Sequence, residues 1–239
     1  MSDRSGSLQA KRVRLGFILS TTAALTAAGL VAFIVVAYLA VVWAAPDQKH
    51  LSHYAAADRA LGATGSRDKV VFIGDSITQI WPTRAPATWD ANWVNRGIGG
   101  ERSEQVRARF AQDALALHPQ AVVILVGTND AWVNNPGLPL AMTEANVAAM
   151  TTLARAAGVR VLLASVPPVG SRTDPPTPPN AEKRIEAQNV WMREYAVRSG
   201  VGFIDYWRVM RPDLTSDGVH PSAAGYAVMA REAKRALAS

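Results

Sequence analysis

Residues 121–130 read AVVILVGTND. The first six are all apolar, so the run has no polar face. It suits a strand buried on both sides, as in a parallel sheet covered by helices. The chain around it keeps the same habit. Lys69–Ile73 is an apolar, β-rich run, Trp93–Asn95 is a shorter one, and Val159–Val166 and Val201–Ile204 supply two more. Between them lie amphipathic stretches of helical length: Ser103–Leu117, Pro139–Ala157, Ala181–Ser199 and Pro221–Ala238. Asn180 stands where the third of these needs an N-cap, and Pro221 suits the first turn of the last. Strands alternating with such helices imply βαβ units and a parallel sheet. About five strands in roughly 170 residues predict one three-layer α/β/α domain over 69–239. In such sheets ligands bind beyond the carboxyl ends of the strands. The segments that follow each strand are therefore where chemistry is to be sought.

The first strand ends in Gly74-Asp75-Ser76-Ile77-Thr78. Gly74 permits a tight turn and a close backbone approach. A serine between strand and helix sits at the top of the sheet, where a helix N-terminus favours developing negative charge. The competing reading of Ser76 is a plain N-cap. The second strand leads into Asn95-Arg96-Gly97-Ile98-Gly99-Gly100, whose glycines bring backbone N–H groups within reach of a ligand. A P-loop does not fit, because no Gly-Lys-Ser/Thr follows, and a dinucleotide fingerprint would follow the first strand. The third strand ends in Gly127-Thr128-Asn129-Asp130. The Asn129 amide is either an oxyanion donor or the partner of an Asx-turn. Near the C-terminus stands Asp217-Gly218-Val219-His220-Pro221. His220 suits a general base, and Asp217 can accept the proton on its other ring nitrogen. Alone, Asp-x-x-His also fits a metal or surface role. Together the four segments supply every role that acyl transfer requires. The proline-rich stretch from Pro167 to Pro179 follows the fourth strand and should border the same site.

These segments, GDSIT, NRGIGG, GTND and DGVHP, resemble the four blocks of the SGNH, or GDSL-type, hydrolase family over about Lys69 to Ala238. The resemblance implies Ser76 as nucleophile, with Asp217 and His220 completing a triad. It implies an oxyanion hole from the backbone N–H groups of Ser76 and Gly100 and the side chain of Asn129. It further implies a flavodoxin-like sheet of five parallel strands, no metal and no organic cofactor. The activity expected is that of a serine ester hydrolase working through an acyl-enzyme on an ester of lipid or acylated carbohydrate. O-acetyl transfer onto an envelope polysaccharide and a non-catalytic membrane-anchored binding domain are the alternatives. Lysophospholipase- and acetylhydrolase-like members often carry threonine where this chain has Arg102. Arg96 and Arg102 are candidates for holding an anionic group, against the plainer reading of solvated surface arginines.

The chain is longer than this domain, and the surplus lies at the N-terminus. Leu15 to Ala45 contains no charged residue and exceeds the roughly 20 apolar residues that a membrane-spanning helix needs. Residues 1–14 carry Arg4, Lys11, Arg12 and Arg14, which should stay cytoplasmic and leave the 69–239 domain periplasmic or extracellular. The alternative is a cleaved signal peptide with its cut near Ala44-Ala45. Residues 46–68 read as a linker with a short helix through His53–Leu61. The net charge of +6 is mild, and no basic run interleaved with aromatics appears, so nucleic acid is not an expected partner. With no cysteine in the chain, disulfides, thiolate zinc sites and cysteine nucleophiles are excluded.

Overall fold

The computed structural model describes residues 29, 32–35, 48–64, 68–132, 139–170 and 176–239. The chain divides into two compact units, Met1–Lys49 and His50–Ser239, and the sheet lies wholly in the second. The expected membrane span, 15–45, falls outside the described residues apart from 29 and 32–35. Among the described residues no helix is long and apolar enough to cross a membrane.

The sheet has five parallel strands: β1 (Val70–Gly74), β2 (Trp93–Gly97), β3 (Ala121–Leu125), β4 (Arg160–Ala164) and β5 (Gly202–Ile204). Their order is β2-β1-β3-β4-β5, the flavodoxin-like arrangement that the family resemblance implies. Gly74 pairs with Gly97 on one side and Leu125 on the other, so three strands end level with one another. The chain leaves β1 toward β2 and returns to β3 on the opposite side. The segments after β1 and β3 therefore flank the switch point of the sheet, where a crevice forms.

Strand residues alternate between two cores. Val70, Phe72, Val123 and Leu125 pack with Ile77 and Trp81 of α2 (Ser76–Arg84) and with Tyr226 and Met229 of α8 (Ala223–Ala238), while α1 spans Ala55–Thr64. On the opposite face, Val71, Ile73, Val122 and Ile124 pack with residues of three helices. These are Val106 and Phe110 of α3 (Ser103–Asp113), Met150 of α5 (Leu140–Ala156) and Met192 of α6 (Ala181–Ser199). Two short helices, α4 (Thr128–Trp132) and α7 (Tyr206–Val209), follow β3 and β5. Each large side chain so buried contributes about 1.5–3 kcal/mol relative to exposure, and both faces of every central strand gain it. That is why AVVILV needs no polar residue.

Element ends differ from the sequence reading in physical detail. The helix expected over Ser103–Leu117 stops at Asp113, and Leu115–Leu117 forms a 3-10 turn. Asn180 has a left-handed backbone, φ 68°, and makes no capping bond. An N-cap side chain works from an extended backbone. Pro221 precedes the last helix, whose cap is Ser222, its Oγ accepting from Gly225 N–H at 3.2 Å. Pro82 lies inside α2 and cannot donate to the Thr78 carbonyl. Asn95 of β2 does so instead, its Nδ2 giving 2.8 Å to Thr78 O and 3.1 Å to Gln79 O.

Candidate active site

The helix that follows β1 is capped by Asp75, whose side chain accepts from Ile77 N–H at 2.9 Å. The N-cap reading of Ser76 is thereby overturned: Ser76 is the first residue of α2, and its hydroxyl has no capping duty. Instead Ser76 Oγ lies 2.9 Å from His220 Nε2, and His220 Nδ1 lies 2.7 Å from Asp217 Oδ2. The contact spans 144 positions of the chain. It is brought about by α8, which follows His220 and packs on α2. Tyr226 stacks on Trp81 with ring centroids 5.1 Å apart, and its hydroxyl donates to Ile77 O at 2.7 Å.

The loop holding Asp217 and His220 is closed by a bridge between Thr215 and Pro221 and by Ser216 N–H donating to His220 O at 2.8 Å. Asp217 Oδ1 accepts the backbone N–H groups of Val219 at 3.0 Å and His220 at 2.8 Å. Partial burial works against the Asp217 carboxylate. The ring of His220 and those two backbone donors outweigh it and hold the group down at about 2. An ionised Asp217 can only accept, so Nδ1 carries the His220 proton and Nε2 is left to accept from Ser76 Oγ–H. The Gly170 N–H donates 2.6 Å to Gly218 O, so the proline-rich segment does border this loop.

The glycine segment after β2 is defined by which N–H groups are already used. Gly97 N–H goes to Asn95 Oδ1 at 2.8 Å, Ile98 N–H to Gly74 O at 3.0 Å, Gly99 N–H to Gln79 Oε1 at 2.9 Å and Glu101 N–H to Ile98 O at 3.3 Å. Gly100 alone in this run donates to nothing within the protein among the described residues. Its φ of +79° is the left-handed turn that a glycine adopts without strain. The N–H of Ser76 likewise meets no acceptor there. Asn129 Nδ2 spends one hydrogen on Glu101 O at 2.8 Å, and an amide nitrogen carries two. All the residues read from sequence as site candidates therefore lie at the carboxyl ends of β1, β2 and β3 or in the loop before α8.

The two arginines have other occupations. Arg96 is 3% exposed, donates from Nε to Asp58 Oδ1 at 2.7 Å and lies over the Tyr54 ring at 4.7 Å. It is neither a solvated surface arginine nor placed for an anion. Arg102 pairs with Glu104 at 2.9 Å on the first turn of α3.

Sequence reasoning passed over several residues that hold the site in shape. Asp130 is buried and accepts from Ser103 N–H at 2.9 Å, from the Ser103 hydroxyl and from Thr143 Oγ1 at 2.8 Å. Glu101 and Arg109 form a fully buried pair at 2.7 Å. A signal for Arg109 existed: Val106, Arg109, Phe110 and Asp113 recur at helical spacing, so two charged residues, Arg109 and Asp113, share the apolar stripe of α3. Among the described residues no three histidine, aspartate or glutamate side chains gather so as to hold a metal ion.

Comparison with known proteins identifies the family of the chain. Residues 72–228, more than half of the chain, match the GDSL-like Lipase/Acylhydrolase family. A GDSL-like lipase of Bacteroides thetaiotaomicron VPI-5482 superposes with a TM-score of 0.72 at 31% identity, over 79% of this chain and 97% of that one. The acetylxylan esterase of Geobacillus stearothermophilus is 24% identical over 208 residues, covering 70% of this chain and 92% of that protein. The uncharacterized lipoprotein YqeF of Bacillus subtilis (strain 168) is 44% identical over 46 residues, 19% of each chain. The chain belongs to the GDSL-like lipase/acylhydrolase family and is a carboxylic ester hydrolase.

Proposed function

We propose that Ser76 is the nucleophile, His220 the general base and Asp217 the residue that orients it. The substrate we assign is a short-acyl ester of a carbohydrate. The observation that carries the mechanism is the 2.9 Å approach of Ser76 Oγ to His220 Nε2, continued at 2.7 Å to Asp217. As Ser76 Oγ attacks the ester carbonyl, its proton passes to Nε2, and Asp217 stabilises the imidazolium. The Ser76 N–H, the Gly100 N–H and the second hydrogen of Asn129 Nδ2 receive the oxyanion. Each such donor contributes about 3 kcal/mol at the transition state. The imidazolium returns its proton to the leaving alcohol. Water, deprotonated by His220 in turn, then releases the acid and frees Ser76.

The carbohydrate ester is favoured over a lipid ester by the likeness to an acetylxylan esterase along most of that protein. We further propose that the apolar stretch 15–45 anchors the enzyme with its catalytic domain outside the cytoplasm. The uncharged length of that stretch supports this, as do the basic residues before it and the short likeness to a lipoprotein.

The substrate reading is tested by assaying acetyl, butyryl and longer acyl esters of both sugar and glycerol, with Ser76→Ala as the blank. Acetylated xylo-oligosaccharide should give the highest kcat/KM. A preference for long acyl chains on glycerol would replace the carbohydrate by a lipid.

A further inference from the structure

We infer that residues 50–64, which precede the family's matched region, are a positioning element of the catalytic centre and act on the oxyanion loop through Glu101 and Gly97. The inference rests on the reading of Gly100 and Asn129 as oxyanion donors. The family match begins at residue 72, so this segment lies outside that match. Yet its polar side chains reach the loop after β2. His50 Nδ1 lies 2.9 Å from Glu101 Oε1, and the Tyr54 hydroxyl donates 2.6 Å to Gly97 O.

Glu101 is the hub. Its side chain has no solvent exposure, and a buried carboxylate has to be paired to be tolerable. Oε2 receives Arg109 Nε at 2.8 Å and Arg109 Nη2 at 2.7 Å, while Oε1 receives His50. The peptide bond of Glu101 joins it directly to Gly100, and its carbonyl accepts Asn129 Nδ2 at 2.8 Å. Two of the three candidate oxyanion donors are thus fixed through this one residue. Arg109 extends the link to the third, since its Nη2 also donates 3.1 Å to Gly74 O, two residues before Ser76. One buried ion pair therefore ties together the ends of β1, β2 and β3, and His50 supplies the partner that Arg109 leaves unfilled.

A side chain that only stabilised the fold would alter the amount of folded enzyme. A positioning residue alters turnover by each folded molecule, because hydrogen bonds to a developing oxyanion depend steeply on geometry. The test uses the full-length protein in detergent with a short-acyl nitrophenyl ester, and normalises kcat to active sites titrated with a fluorophosphonate. His50→Leu combined with Tyr54→Phe should lower kcat about tenfold to a hundredfold while leaving KM within about twofold, because the acyl group is held elsewhere. His50→Asn, whose amide nitrogen stands near the place of Nδ1, should recover most of the loss. Where the double variant fails to fold, Tyr54→Phe alone carries the test and should lower kcat several-fold. A wild-type kcat per titrated site in these variants, with Ser76→Ala inactive, overturns the inference and leaves the nucleophile standing. An active Ser76→Ala overturns the reading of the site and this inference with it.

Discussion

Two carboxylates near Ser76 are shifted in opposite directions by their surroundings. Asp75 is fully buried, and one of its oxygens has no hydrogen-bond partner. Burial pushes it from the ordinary 3.8 up to about 6, against the opposing pull of Ile77 N–H. Between those values the folded protein keeps a proton that the unfolded chain has lost. Stability therefore falls as pH rises through that window, by about 3 kcal/mol in all. Asp217, held at about 2, works the other way: its contribution is present above the ordinary 3.8 and is lost only as pH falls toward 2. Replacing Asp75 by Asn keeps an oxygen for the Ile77 cap and removes the titrating group. The fall in Tm between pH 4 and pH 6 should flatten in Asp75→Asn, as followed by thermal melts across that range. An unchanged slope would mean that Asp75 does not titrate there. The contrast between Asp75 and Ser76 also shows where sequence reading stops. Both residue types cap helices, and only the backbone position decides which of them does. The pairing of Glu101 with Arg109 was harder still: Glu101 precedes α3 and Arg109 lies within it, and the two meet only because both are buried beside the end of β1, where Arg109 also donates to Gly74 O.

At the scale of elements, the βα units were legible because each depends on local pattern. Apolar runs of strand length, amphipathic helices and turn glycines specify β1 to β5 and the helices between them. Their joints were less legible. The helix after β1 contains Pro82, and the Asn95 amide from the neighbouring strand satisfies the carbonyl that Pro82 leaves open. Gly97 likewise reads as a loop glycine, yet a Cβ there would lie 2.3 Å from Gln79 N, so it is needed where β2 meets the first turn of α2. Residues 46–68 read as a linker because they lack a long periodic pattern. The helical part, Ala55–Thr64, nevertheless packs Leu61 on the core and lies against the Leu115–Leu117 turn. The anchor proposed for residues 15–45 rests on the uncharged run, the basic residues before it and the short lipoprotein likeness. If residues 15–45 span a bilayer with the basic end inside, the protein should stay with membranes after alkaline carbonate washing. Protease added to intact cells or spheroplasts should digest the catalytic domain. Protection until lysis would reverse the topology.

The molecule as a whole works by bringing distant parts of one chain to the same edge of one sheet. Ser76 enters from the first strand and Asn129 from the third. His220 arrives from near the C-terminus because Tyr226 and Trp81 dock the last helix on the first helix after the sheet begins. The order of these contributions along the chain could be read in advance, since each sits at a strand end or before a helix. The distances could not, because they depend on two cores closing around the sheet. Ser76 Oγ is the atom proposed to carry the covalent intermediate. Treating the full-length protein with a fluorophosphonate and mapping the adduct by peptide mass spectrometry tests this directly. The adduct should lie on Ser76, form in step with loss of esterase activity, and form far more slowly in His220→Ala. Full loss of activity with the adduct on another residue, or esterase turnover that persists in Ser76→Ala, would contradict it.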